Sequence, residues 1–356
     1  MWPGRNQLLP ICGWLFPRAI APAQSDRVAG RRYRPSSTDH HFYEESGAAP
    51  PLLLLDIACR KQRLGWTPQA ASRSKLECPI VDNAEAVRVN RIFHDHECAY
   101  YDERFAIVHD ERSARRARKE VEDLLGRPVR ARETVLDVGC GTGWLAAGLP
   151  RALPGLPVIG VDLSQGMLER ARAAGAWPLL RADAQRLPLA TASVDLIVTR
   201  GVLHHLPDVP AALTEWRRVL RPGGAVVVSC EPTPTSETHV EPLVRALLWV
   251  LHRPLSPEED FWEVASMAAN LHVFTPAQLA AMATGAGYRE VSLSTSYFCA
   301  TLLLTASYIT HGRRPGLARR VPWRRLETLA SILDGAVANR VLPDTWRHAV
   351  VGVLRP

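Results

Sequence analysis

Paired cysteines are missing from this sequence. Its seven cysteines are scattered and odd in number, and none forms a C-x-x-C, which argues for reduced thiols over a disulfide framework. No apolar run approaches the length needed to cross a bilayer, so no membrane span is expected. Internal repeats and low-complexity arrays are absent too. A basic face is also lacking, although the net charge is +7: residues 1–79 hold 11 Lys and Arg against 6 Asp and Glu, and the remaining body is close to neutral. A near-neutral body argues against a nucleic-acid partner.

With 356 residues, the chain is long enough to bury a substantial core. Residues 1–50 are rich in Pro, Arg, Ser and Gly and show no sustained periodicity, so residues 1–79 read as a disordered or loosely docked extension. Within it, Leu52–Ile57 reads as a short element docking on the body. The apolar stretch Gln7–Phe16 has the look of a signal sequence, but Pro10, Gly13 and Pro17 interrupt it. A cytoplasmic protein is the expectation, with an N-terminal targeting peptide as the alternative. Ordered structure begins near residue 80, and residues 80–128 read as a helical cap. His94, His96 and Cys98 alternate there, but zinc sites usually show other spacings and a fourth ligand, so no metal is assigned. From Ser113 to Leu125, Ala114, Ala117, Val121, Leu124 and Leu125 recur at helical spacing. Arg115, Arg116, Arg118 and Lys119 fall outside that stripe.

The chain is organised around Thr134–Trp144. Val135, Leu136 and Val138 read as a short buried strand carrying the acid Asp137. Gly139, Gly141 and Gly143 follow at alternate positions, and then a helix begins. Strand, glycine loop and helix let backbone approach a nucleotide-like ligand closely. The order is D-x-G-x-G-x-G rather than G-x-G-x-x-G. A carboxylate beside the loop repels a pyrophosphate and attracts a cationic amino group. A second buried strand, Leu156–Asp162, ends in an acid 25 residues after Asp137, a distance that fits a βαβ unit. Regular strand–helix alternation continues through Leu179, Ala192–Thr199 and Ala225–Ser229, which predicts a parallel sheet with right-handed crossovers. Thr275 and Pro276 read as the N-cap and N1 of a later helix.

The glycine motif, and the Leu220-Arg-Pro-Gly-Gly224 run between a helix and a strand, resemble class I S-adenosylmethionine-dependent methyltransferases of the methyltransferase type 11 kind. The resemblance spans roughly residues 90–356 and is strongest over 133–230. It implies an α/β fold: a doubly wound, Rossmann-like sheet of seven strands, one antiparallel, with a helical lid. Residues 129–356 would form the methyltransferase domain, with acceptor-pocket insertions at about 231–273 and 297–345. The implied cofactor is S-adenosyl-L-methionine. The resemblance carries its binding to Asp137, Gly139, Cys140, Gly141, Gly143, Asp162, Leu163, Met167, Asp183 and Ala184. Asp162 would take the ribose hydroxyls, and Asp183 with Ala184 the adenine. Tyr101 belongs to a Tyr-Asp pair that caps the cofactor pocket in relatives; packing of a helix onto the body is its alternative.

His204 and His205 follow the fourth strand, on the edge facing the transferred methyl. One of them is a candidate base, an imidazole being suited to proton removal near neutral pH; the alternative is that they merely shape the loop. Arg200 either binds an acidic acceptor or pairs with a carboxylate, and pairing is preferred. The leading reading is methyl transfer to an oxygen or carbon of a small, fairly apolar molecule by a monomer or homodimer. A non-catalytic cofactor-binding subunit is one alternative. RNA or protein methylation is another, disfavoured by the near-neutral body and by the absence of an Asn-Pro-Pro-Tyr signature after the fourth strand.

Overall fold

Short valine- and leucine-rich runs become the middle of one sheet. The computed structural model describes residues 82–176, 178–251 and 269–356. The expectations for residues 1–79, for Leu52–Ile57 and for the aromatic pair at 261–262 lie outside the described residues. The strands are β1 (Val135–Val138), β2 (Val158–Asp162), β3 (Leu179–Arg181), β4 (Val194–Arg200), β5 (Leu220–Pro232), β6 (Glu290–Ser296) and β7 (Ala349–Arg355). Their order in the sheet is β3-β2-β1-β4-β5-β7-β6. β1 to β5 run parallel, and β7 is antiparallel to both of its neighbours. This is the seven-stranded, doubly wound architecture expected, with its one reversed strand.

Strand periodicity explains the layers. Residues of β1, β4 and β5 alternate between two cores: Leu136, Val138, Ile197, Val226 and Val228 enter one, and Val135, Leu196, Val198, Ala225 and Val227 the other. Burial on both faces is why these strands read as unbroken apolar runs. The first core is closed by α6 (Val209–Val219), through Leu213 and Trp216, and by α8 (Pro276–Gly285), through Leu279 and Ala283. The second is closed by α3 (Glu111–Leu125), α4 (Trp144–Ala152) and α5 (Gln165–Ala173). Of the predicted stripe on α3, Ala114, Ala117, Val121 and Leu125 are buried and Leu124 is partly buried. The helix starts two residues earlier than expected, because the Asp110 side chain accepts the Ser113 N–H as N-cap. At α8 the Thr275 cap forms a full capping box with Gln278.

One boundary differs from expectation. β5 begins at Leu220, which pairs with Val194, and the chain then turns through Gly223 at φ +80° before Ala225 pairs with Leu196.

Three further groups of helices complete the chain. Before the sheet come α1 (Asn83–Glu97) and the short α2 (Tyr101–Arg104). After β5 comes α7 (Pro234–Val250). Between β6 and β7 lie α9 (Cys299–Arg313), α10 (Pro315–Ala318), α11 (Trp323–Leu333), a π-helical turn (Asp334–Ala338) and α12 (Asn339–Val341). Ser296, the last residue of β6, pairs with Ala349, the first of β7. The His348 N–H donates to the Tyr297 carbonyl at 2.8 Å just beyond that rung.

Trp216 joins core to site: it is fully buried, and its indole N–H donates to the Ala184 carbonyl at 2.9 Å. Trp216→Phe keeps an aromatic ring but strands that carbonyl, so it is expected to cost about 1–3 kcal/mol. A lowered urea midpoint with an unchanged slope checks this.

Candidate cofactor and acceptor site

The sheet order reverses between β1 and β4, and ligands bind outside the carboxyl ends of strands at such a point. A cleft of about 750 Å³, open mouth included, lies there. Among the predicted residues, Tyr101, Gly139, Gly141, Asp162, Leu163, Met167, Asp183, Ala184, Arg200 and His205 line it. Asp137, Cys140, Gly143 and His204 do not.

Asp162 holds the floor. Its Oδ2 accepts the Gly141 N–H at 2.8 Å and its Oδ1 the Ser164 N–H at 2.9 Å. Burial pushes its carboxyl up, against these two donors. A carboxylate has about four acceptor sites, so roughly two remain for a ligand's hydroxyls. The glycine loop is tight for separate reasons. A Cβ on Gly139 would meet Val202 at 2.3 Å. At Gly141, φ is +52° and the Cβ direction is open space in the cleft. The amides of Cys140, Gly141 and Gly143 are already taken by Val161, Asp162 and Cys140. What the loop offers at those residues is room, not free N–H groups.

Asp137 lies beneath the loop. Strand alternation places it on the side of Val135, facing α4, where its carboxyl accepts the Ala146 N–H. It is buried with no counter-ion, and burial pushes its pKa up to about 8. Cys140 is buried in the second core, and Gly143 is the left-handed residue that starts α4.

The roof comes from α1 and α2. Asp95 on α1 accepts the Ser164 hydroxyl at 2.6 Å and the Gly166 N–H at 3.0 Å, pinning α1 over the start of α5. On α2, Asp102 accepts the Thr142 hydroxyl at 2.6 Å, which sets Tyr101 beside the glycine loop. Tyr101 packs at a tilt against Phe105, which meets Tyr308 of α9. Sequence reasoning missed three wall residues on α1, Val87, Asn90 and His94. Asn90 donates to the Ala86 and His205 carbonyls at 3.1 Å, and its own buried Oδ1 has no partner. Its position on the inner face of α1, four residues from His94, was the available signal.

The far wall follows β4. Arg200 lies 3.4 Å from Glu120 of α3, and its guanidinium sits 4.8 Å from the Trp144 ring. Glu231, also missed, organises the next turn. Fully buried at the end of β5, it accepts the N–H groups of Val202, Leu203 and His204 at 2.8–3.1 Å and meets His204 Nδ1 at 2.9 Å. His204 is therefore committed to Glu231. The Nδ1 of His205 meets the Ala269 carbonyl at 3.0 Å, so it carries the proton and leaves Nε2 as the acceptor. Burial, with His204 and His94 nearby, holds His205 well below the usual histidine range.

The arrangement suits a cationic nucleoside better than a polyphosphate. Two carboxylates, Asp162 and Asp183, line the cleft, whereas its one guanidinium is offset by Glu120. Asp183 also accepts the Gln185 N–H at 2.9 Å, which shapes the turn beside Ala184.

Fold and site together define a Rossmann-like methyltransferase. Residues 136–228 match the methyltransferase domain family. The malonyl-[acyl-carrier protein] O-methyltransferase of Hahella chejuensis is 41% identical over 108 residues, which cover 29% of this chain and 38% of that one. The trans-aconitate 2-methyltransferase of Deinococcus radiodurans is 30% identical over 224 residues, 62% of this chain and 79% of that one. The chain belongs to the S-adenosylmethionine-dependent methyltransferase family. It spans under half the length of the malonyl-[acyl-carrier protein] O-methyltransferases it matches, 38% and 37% in two cases. A solved phosphoethanolamine N-methyltransferase 2 of Haemonchus contortus is similar at 18% identity and a TM-score of 0.48, over 75% of this chain and 60% of that one. No helix among the described residues is long and apolar enough to cross a membrane.

Asp137 gives a stability test. Its folded pKa is raised, so the folded state keeps a proton that the unfolded state releases. That contribution is full below the unfolded carboxylate pKa and is lost as pH rises through about 8. Wild-type stability should fall between pH ~4 and ~8 relative to Asp137→Asn, in which this slope is absent. Denaturant titrations across that window measure the difference.

Proposed function

We propose that the protein transfers a methyl group from S-adenosyl-L-methionine to an oxygen or carbon of a small, fairly apolar acceptor. The observation that carries this reading is the cleft wall: Asp162 with spare lone pairs, Asp183, and the open space over Gly141. Asp162 would hold the ribose hydroxyls, and Asp183 with the Ala184 backbone the adenine. Met167 and Leu163 would pack along the nucleoside. When bound, S-adenosylmethionine supplies an electrophilic methyl on a positively charged sulfur.

The chain's own task is placement, since orienting two partners for in-line attack supplies most of the rate in such a transfer. The Asp102–Thr142 bond keeps Tyr101 over the cleft, and α9 backs the roof through Tyr308. These apolar and aromatic surfaces favour an uncharged acceptor body. The relatives' names point to acids, malonyl and trans-aconitate. Here an acidic acceptor would have to compete with Glu120 for Arg200, so the apolar reading is kept. Of the two histidines, His205 is the better base: it lines the cleft with a free acceptor nitrogen, while His204 is bound to Glu231.

Calorimetric titration of the full chain with S-adenosylmethionine tests the foundation. Asp162→Ala should weaken binding at least about tenfold, because it removes both the loop clamp and the hydroxyl acceptor. Unaltered binding would remove the assignment. Release of S-adenosylhomocysteine with candidate acceptors separates turnover from mere binding. With a substrate in hand, His205→Ala should lower kcat about 10²–10⁴-fold. The acid limb of the wild-type kcat profile should lie below the ordinary histidine range, because the folded pKa of His205 is depressed. An unchanged kcat in His205→Ala would leave the histidine a shaping role only.

A further inference from the structure

The later helices between β6 and β7 are turned inside out. On α11, the π-helical turn and α12, the large apolar side chains Leu329, Ile332, Leu333, Val337 and Val341 are between 51 and 72% exposed. The residues turned inward are Ala330, Asp334 and Ala338. This orientation is anchored. The buried Asp334 carboxylate accepts the N–H groups of Phe298, Cys299 and Ala300 at 2.8–3.1 Å and so caps the start of α9. The two alanines let the helices approach closely. Rotating α11 to bury its leucines would strip α9 of that cap. The outward stripe, spaced at three or four residues, covers roughly 20 Å at 1.5 Å per residue.

Its surroundings are basic. Over residues 315–341 the only acids are Glu327 and Asp334. Glu327 pairs with Arg116, and Asp334 is buried. Arg319, Arg320, Arg324, Arg325 and Arg340 are exposed, and of these Arg324 pairs with Asp110. A second copy seated on this face would bring two arginine-rich rims together. The charge calls for an anionic occupant, and a convex apolar stripe edged by arginine fits a deformable surface.

We propose that this face docks on an anionic lipid surface, with Ile332 and its neighbours entering the headgroup–acyl boundary and the arginines meeting lipid phosphates. The proposal is independent of the methyl-transfer reading. Cosedimentation of the full chain with phosphatidylcholine vesicles, with and without phosphatidylglycerol, tests it. Binding is expected only with phosphatidylglycerol and should weaken as salt is raised. Ile332→Glu with Leu333→Glu should reduce it at least about tenfold. Arg319→Gln, Arg320→Gln and Arg325→Gln together should do the same. Thermal melting confirms that the variants fold. The proposal is overturned if the wild-type chain ignores phosphatidylglycerol vesicles, as it would if the true occupant were an acidic protein. Vesicle binding that survives the double glutamate variant overturns it too. So does a wild-type dimer in sedimentation velocity that this variant converts to monomer.

Discussion

Everything at the mouth of the cleft depends on one desolvated carboxylate. Asp162 ends β2 and takes N–H groups from two different loops, Gly141 after β1 and Ser164 ahead of α5. Ser164 hands the linkage on to Asp95 of α1. Floor, glycine loop and roof are therefore one hydrogen-bonded unit. Under the proposed function the same carboxylate would accept a sugar's hydroxyls, so holding the site and holding the ligand would fall to a single side chain. Amide would not serve as well: one of its two heavy atoms is a donor only and would oppose one of the loop N–H groups.

A second buried carboxylate repeats the device across the cleft. Glu231 gathers three successive N–H groups and an imidazole, so the turn after β4 is tied to β5. Asn90 then joins the His205 carbonyl to the roof. The walls are thus set by backbone amides aimed at buried acids, an arrangement that fixes geometry without large side-chain movements.

Much of this was legible in the sequence, for identifiable reasons. Strand runs such as Val135–Val138 read as short apolar stretches bounded by a glycine loop, helix stripes such as Ala114, Ala117 and Val121 keep a period of 3.6, and both fold as written. The glycine loop and the acid at Asp162 are local features whose spacing carries their meaning. What the sequence hid is long-range. Glu231 reaches back to a turn 29 positions earlier, and Glu120 lies far further along the chain from its partner Arg200; only the assembled fold brings them together. Asp137 was legible as an acid at a loop, but strand alternation turns it under the loop toward α4 instead of into the cleft. The outward face of α11 was hidden for the same reason, because the cap Asp334 supplies to α9 outranks the burial of leucines.

The rung at Ser296 and Ala349 has a further implication. The chain departs from the hairpin and rejoins it at one level, so α9 to α12 hang from the sheet as a closed excursion. Such an appendage can be lengthened, shortened or exchanged between relatives with no slip in strand registration. Natural variation in these helices, and deliberate grafting in the laboratory, would both find their simplest seam at that rung.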